Sequence, residues 1–418
     1  MDRVDVMTGA GRNDRLRAAW AGVSTAPESQ TVNSLRQRNR ASALQFILRQ
    51  REATRADVAR HCGLSVASAT NMVNDLMADG LVVESGTVAS RGGRPITVIA
   101  PNSDGAYAIG ADVGERGVAV ELFDLGLQVV DREFRGGRQE ESPEDIEQDL
   151  RDAIGALRAR NAERWGRVLG VGLGLPGVVE TSADGEQTLY AQSLGWAPRP
   201  IPGATKDGLP VFGENGAKTL ARAEMWFGAA RDIEHAAVAL LGRGVGLAIV
   251  NEGKLFRGAF GSATEWGHTK IRYGGEPCRC GDRGCLEAYV GADALLAAWR
   301  RTGGAFEGSG WQAIGALCEA AETDDAAARV LGDGIEALGA ALGSIVNLAN
   351  PQRIVVGGWV GLRLMERHGQ AITEAIRRNC LIRAGEQFDL VAATFGGDTV
   401  ALGSALMPIE ALIHAPRN

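Results

Sequence analysis

Residues 107–134, YAIGADVGERGVAVELFDLGLQVVDREF, decide the architecture. They read as a strand over Tyr107–Val113, a glycine-containing turn, a strand over Gly117–Asp124, a second turn, and a strand over Val129–Phe134. The apolar runs are of strand length and are bounded by turn residues. A second stretch, AAVALLGRGVGLAIVNEGKLF at residues 236–256, repeats the scheme. Its strands are Ala237–Leu241, Val245–Val250 and Lys254–Phe256, with the turn Gly242, Arg243, Gly244 between the first two. Two copies of a three-stranded meander imply two related α/β domains. Helical periodicity fills the gaps over Glu144–Arg160, Ala217–Phe227, Leu286–Arg300 and Ala326–Leu348. A cleft between two such halves is the natural ligand site. The glycine turns would let backbone N–H groups approach a phosphate, but tight hairpins need glycine in any case.

Upstream of the first meander the pattern changes. From Ser34 to Arg51 the apolar residues Leu35, Ala43, Leu44, Ile47 and Leu48 recur at helical spacing. Thr54 is placed to cap a short second helix with Val58 and Ala59 on its inner side. Cys62, Gly63, Leu64 and Ser65 form a tight turn, and a third helix runs from Val66 to about Asp79, with Ala69, Met72, Val73 and Leu76 facing inward. Three helices with a glycine turn before the last are a helix-turn-helix pattern. Two short strands, Leu81–Ser85 and Ile96–Ala100, enclose the basic turn Ser90 to Pro95 and make a wing. The outward residues Ser68, Thr70, Asn71 and Asn74, with Ser65 at the helix start, can hydrogen-bond base edges or phosphates. Arg91 and Arg94 at the wing tip suit phosphates or a minor groove. A solvated helix face and a turn made soluble by arginine would carry the same residues, so the ensemble, rather than any one of them, points to DNA.

The charge distribution agrees. The net charge of −7 divides into +4 over residues 31–100 and −11 over the residues after 100, while residues 1–30 balance. A basic head on an acidic body suits a DNA reader attached to a small-molecule domain. Residues 1–30 read as a leader without a fold, lacking the basic-then-apolar order of a secretion signal. With 45% apolar residues the body can bury a large core, yet no apolar run is long enough to span a bilayer. The expected organisation is a leader over 1–30, a winged head over 31–100, and body domains over 101–230 and 231–418, in the cytoplasm without a membrane partner.

Six cysteines are present. Cys62, Cys318 and Cys380 stand alone in helical-looking segments and read as buried small residues. Cys278, Cys280 and Cys285 cluster, ten residues after His268. Three thiolates and an imidazole match the tetrahedral, soft-ligand preference of Zn²⁺, and four protein ligands close its shell, which makes a structural rather than catalytic site. The competing reading is a set of ordinary thiols beside a core histidine. The loop lies between Glu265 and Glu287, so a metal there would fix both carboxylates towards the cleft.

From about Val32 onward the chain resembles the ROK group of bacterial repressors and sugar kinases, within the actin-like ATPase superfamily. The resemblance rests on the winged head, Asp112–Val113–Gly114, the run Gly172 to Gly177, Glu214–Asn215, the stretch Gly258 to His268, the cysteine cluster, and Val346 to Pro351 before the strand Arg353–Gly357. It implies two ribonuclease-H-like (actin/hexokinase-type) α/β domains behind the winged helix-turn-helix. It also implies a sugar site made of Asn215, Glu265, His268 and Glu287, and it supports the same four metal ligands.

The resemblance further implies where a kinase would keep its chemistry. The family's kinases use an aspartate, in an Asn-Asp-x-Asn stretch, to take the proton from the sugar hydroxyl. Here the matching residues are Asn215, Gly216, Ala217 and Lys218, and Gly216 has no group to accept a proton. The first phosphate turn carries Glu115 and Arg116 in place of Gly-Thr, and the second carries Arg243, which could itself grip an anion. The expectation is therefore a repressor of carbohydrate-related genes, without enzymatic activity, that binds a sugar or sugar derivative in its cleft. The space beside Gly216, with Lys218 near, would suit a phosphorylated or acidic sugar, a pentose or a larger glycoside. Two heads in a homodimer or homotetramer would meet a near-palindromic double-stranded DNA operator. Two other readings compete: a sugar kinase with an added head, and a ligand-independent repressor whose body only oligomerises.

Overall fold

The computed structural model describes residues 32–89, 95–114, 117–137, 142–308, 310–396 and 399–415. Helices of eight residues or more are numbered below. The head begins with α1 (Val32–Gln50), α2 (Arg55–Cys62) and α3 (Val66–Ala78). Thr54 caps α2 through a reciprocal pair with Asp57, and Gly63 ends it at φ 64°. Ser65 caps α3 by accepting from the Ser68 amide. Strands β2 (Val82–Val88) and β3 (Ile96–Pro101) form the expected hairpin, and the two-residue β1 (Ala53–Thr54) pairs with β3. Ala43, Leu44, Ile47 and Leu48 are buried as the periodicity indicates, but Leu35 is exposed. The start of α1 is exposed, and Arg36 and Arg40 pair with Asp75 of α3 and with Asp79, its C-cap, at 2.7 and 2.8 Å.

The body holds two five-stranded sheets of one topology. The first is ordered β11-β7-β4-β5-β6: β4 (Tyr107–Gly114), β5 (Gly117–Asp124) and β6 (Val129–Gly136) form the meander, and β7 (Val168–Leu175) and β11 (Val211–Asn215) add in parallel. The second is ordered β14-β13-β12-β15-β16: β12 (Ala236–Leu241), β13 (Val245–Asn251) and β14 (Lys254–Leu255) form the meander, and β15 (Arg353–Gly357) and β16 (Asp389–Ala392) add in parallel. Each meander is thus extended on the side of its first strand, and the duplication seen in sequence extends to the whole sheet. A small sheet of β8 (Val178–Thr181), β9 (Gln187–Tyr190) and β10 (Arg199–Ile201) lies beside the first.

Helix α4 (Pro143–Arg160) covers one face of the first sheet through Ile146, Ala153 and Leu157. Helix α5 (Gly216–Phe227) follows β11 directly and buries nine of its residues. The second half carries α6 (Ala292–Arg301), α7 (Trp311–Ala320), α8 (Asp325–Ala349) and α9 (Gly358–Arg378). The helical stretch expected over Leu286–Arg300 is interrupted by the extended Gly291. Cys318 is buried in α7, whereas Cys62 and Cys380 are only partly buried, Cys380 because it sits in the turn beyond α9.

The last helix, α10 (Thr399–His414), returns to the first sheet. It comes so close that a Cβ at Gly110 or Gly172 would lie 1.9 Å from the carbonyl oxygens of Ala401 or Ser404. Those two strand positions must be glycine for the helix to seat. The head shares this core: Leu44, Ile47 and Leu48 cluster with Leu406, Ile409 and Ile413 of α10. Among the described residues no helix is long and apolar enough to cross a membrane.

Candidate functional site

The cleft between the two sheets has a volume of about 520 Å³. Its floor is set by β11 and α5. The polypeptide turns from strand to helix at Asn215, whose side chain accepts from the Ala217 amide at 2.9 Å and donates to the Gly177 carbonyl at 2.8 Å. This local cap fixes the amide at the cleft wall. Gly216 follows, and a Cβ there would meet nothing closer than 3.7 Å. A side chain would fit, so the lack of a proton acceptor at this position has no steric cause.

Asn215, Glu265, His268 and Glu287 all line the cleft, although 72 positions separate the first from the last in the sequence. Burial pushes the Glu265 carboxyl up, opposed by His268 and Lys218. Glu287 is buried and accepts from the Val245 amide at 3.1 Å, with the Arg279 guanidinium 3.5 Å away. Thr264 precedes Glu265 at φ 75°, a region that β-branched residues rarely occupy. That strained position directly precedes Glu265, which lines the cleft. The sequence reading missed Asp112, Ser193, Thr264 and Arg279 as cleft-lining residues. Asp112 and Thr264 lie within quoted motifs, but nothing local to Ser193 marks it, and Arg279 is hidden between two cysteines.

Lys218 is placed differently from the expectation. It is only 1% exposed and does not line the cleft; its ammonium donates to the Gly261 carbonyl. Burial lowers its pKa, against the raising effect of Glu214 and Glu265. It holds the loop that carries Glu265 and does not offer a cation to a phosphorylated sugar. Arg243 is likewise engaged, donating from Nε to Asp293 at 2.8 Å.

His268, Cys278, Cys280 and Cys285 come together, with their ligand atoms all within 4.8 Å of one another. Cys278 Sγ lies 3.7 Å from His268 Nδ1, and Cys280 Sγ lies 3.8 Å from Cys285 Sγ. An ion with metal–sulfur bonds of ~2.3 Å in tetrahedral geometry has edges of roughly 3.8 Å, so the donor set fits such a metal. Burial pushes the Cys278 thiol up to about 12. A bound cation would reverse that preference by stabilising the thiolate. With Nδ1 turned to the cysteines, the other ring nitrogen of His268 is left for the cleft.

In the head, Ser68, Asn71 and Asn74 are exposed on α3. Ser65 and Ser68 share their hydroxyls at 3.0 Å, and the Thr70 hydroxyl donates to the Val66 carbonyl at 2.8 Å. Arg55 of α2 donates to Asn74 at 3.5 Å and to Glu84 of the wing at 2.9 Å. Arg91 and Arg94, like Glu115 and Arg116, lie outside the described residues.

A connection between head and cleft was not legible in the sequence. Arg49 at the end of α1 donates to the Met225 carbonyl at 3.1 Å, the Trp226 carbonyl at 3.5 Å and Asp232 at 3.0 Å. A cation on the last carbonyls of a helix is favourably placed against the helix dipole. The Arg51 guanidinium sits 5.4 Å from the centroid of Phe227. Thus α5 has its first residue in the cleft and its last turn against the head. At mid-length, Arg222 pairs with Glu410 of α10, which also accepts from Trp226 Nε1 at 3.0 Å.

Comparison with known proteins agrees with this geometry. A xylose repressor of Caldicellulosiruptor bescii is 27% identical over 396 residues, 91% of this chain and 98% of that protein. The crystal structure of a ROK family transcriptional regulator, a homologue of the Escherichia coli MLC protein, superposes with a TM-score of 0.71 at 25% identity, covering 91% of this chain and 97% of that one. A ROK family glucokinase from Streptomyces griseus, solved with glucose and AMPPNP, gives 0.56 at 27% identity and covers 72% of this chain and 99% of its own. The regulator thus covers more of this chain than the glucokinase does. With the model of the ROK family matching residues 108–411, this chain belongs to the ROK family.

Proposed function

We propose that the protein is a DNA-binding transcriptional repressor of carbohydrate-related genes, whose DNA affinity is set by a sugar in the body cleft. The observation that carries this reading is Gly216: the cleft keeps its polar set, Asn215, Glu265, His268 and Glu287, while the position facing them has room for a side chain and no proton acceptor. Phosphoryl transfer needs a positioned base, so occupancy is the output that remains, and the protein is not an enzyme. The kinship to a named repressor over nearly its whole length supports the same reading.

In this scheme the head spans 31–100 and the body halves 101–230 and 231–418, with α10 crossing back. Ser65, Ser68, Thr70, Asn71, Asn74, Arg91 and Arg94 contact DNA. His268, Cys278, Cys280 and Cys285 hold a structural Zn²⁺, which orders the loop between Glu265 and Glu287 and so places both carboxylates. The protein works in the cytoplasm as a homodimer or homotetramer on a near-palindromic operator. A sugar at Asn215 acts on the start of α5, and Arg49 conveys the displacement to α1. A coupling of about 1–3 kcal/mol changes DNA affinity by about 5–150-fold.

The experiment is a paired assay on the purified full-length protein. A panel of sugars, D-xylose and D-glucose included, is screened by thermal shift, then by ATP turnover and by DNA gel shift on the region upstream of its own gene. The expected result is no ATP consumption with any sugar, and a change in DNA affinity of at least about 5-fold with one of them. Sugar-dependent ATP consumption would establish the kinase reading instead. DNA binding that no sugar alters would leave the body as a scaffold.

A further inference from the structure

The cleft has two unlike ends. One is the polar end already described, closed by the metal loop. The other is aromatic, and its rings come from both halves of the body. Phe134, on the edge strand β6, is 64% exposed; Trp311, the first residue of α7, is exposed on the opposite half. Trp359, at the start of α9, lines the same end. The Trp311 ring is braced by the Arg363 guanidinium, 4.0 Å from its centroid. A second cavity of about 350 Å³ shares Gly310 and Trp359 with this end and continues to Phe306, itself stacked on Trp299 at 5.3 Å. Together the two spaces exceed what one sugar ring at the carboxylates would fill.

Leaving large aromatic rings in water forgoes the stabilisation that burial would give, roughly 25 cal/mol per Å². Aromatic faces flanking a ligand cleft are what a sugar ring stacks upon, its C–H groups against the ring and its hydroxyls still in water. The alternative occupant of an aromatic end is a nucleotide, and the charges disfavour it. The Arg243 guanidinium in the turn between β12 and β13 is bonded to Asp293, whose carboxylate borders the second cavity. Asp112 lines the cleft at the other turn, with Glu115 three residues on in the sequence. With its charge paired to Asp293, the Arg243 turn presents no net positive charge to a polyphosphate, and a neutral ring needs none.

We infer that the effector is a disaccharide or longer glycoside, with one glycosyl unit held by Asn215, Glu265 and Glu287 and the next ring stacked on Phe134 and Trp311. The inference rests on the sugar-effector reading and adds a second subsite to it. Since the two aromatic residues belong to opposite halves, a ring held by both adds a second bridge between the halves to the one that Asn215, Glu265 and Glu287 form.

Calorimetric titration of the full-length protein tests this with D-xylose against xylobiose, and D-glucose against cellobiose and maltose. At least one disaccharide should bind about tenfold more tightly than its monosaccharide. Phe134→Ala and Trp311→Ala should each remove most of that advantage, with monosaccharide affinity kept within about twofold; Phe134→Tyr and Trp311→Phe should retain it. Both positions are exposed, so the fold should survive the changes. Disaccharides that bind no better than their monosaccharides, variants that weaken both equally, or AMPPNP displacing the second ring would overturn the inference and leave the sugar-effector reading standing. Failure of every sugar of either length to bind would overturn both.

Discussion

Lys218 and Gly216 lie two residues apart on the first turn of α5, and their environments explain why sequence alone misjudges one of them. Gly216 is decisive by composition: no environment gives glycine a proton acceptor. Lys218 depends on direction, and the helix turns it away from the cleft into a site where its ammonium meets the Gly261 carbonyl, with Glu214 and Glu265 near. Burial disfavours the charged form and lowers its pKa from the usual 10.5. For a lysine so lowered, folding carries a penalty that is fully present below the folded pKa. That penalty is relieved as pH rises through the folded pKa towards the unfolded value. The Lys218→Met protein lacks this penalty. Its urea midpoint relative to the wild type should therefore fall as pH is raised from about 7 to about 10. A difference that stays constant, or moves the other way, would show that the buried ammonium carries no such cost.

Among the elements, the meanders were legible because their information is local: apolar runs of strand length with glycine at the turn. The pairing of the parallel strands was not, although Arg353–Gly357 itself was legible as a strand. β7 pairs with β4, and β15 with β12, across long intervening segments, and no short-range pattern records a partner so distant. The seat of α10 was hidden for the same reason, since Gly110 and Gly172 make sense only once the helix lies on them. The cleft residues Asn215, Glu265, His268 and Glu287 were legible only through kinship, whereas the cysteine–histidine cluster could be read from its spacing. What no sequence signal offered was α5 as a link, its start in the cleft and its last carbonyls under Arg49. Arg49→Met keeps the apolar stem and removes the donors. Its expected cost in stability is about 1–2 kcal/mol, because the bonded carbonyls become partly accessible to water. Sugar affinity should stay within about twofold, while the ratio of DNA affinities with and without sugar falls below about 2. Gel shifts that keep the full ratio would remove α5 from the pathway.

At the scale of the whole molecule, an excess of +4 over residues 31–100 faces DNA from a body of −11 beyond residue 100. The acidic body repels the phosphate backbone, so contact must be made by the head, and the core it shares with α10 limits how far it can turn from the body. Two classes of head residue should then separate in one experiment. Arg91 and Arg94, between the two wing strands in the sequence, are proposed to act on phosphates or groove shape, so replacing both with alanine should weaken operator and random DNA alike. It should also reduce the slope of log affinity against log salt by about 2. Asn71, exposed on α3, can bond a base edge. Asn71→Ala should cost about 1–3 kcal/mol on the operator, change random DNA little and leave the salt slope as it was. If both substitutions instead shift the slope equally and spare the operator preference, α3 would not be the reading helix, and specificity would have to come from the shape of the DNA under the wing.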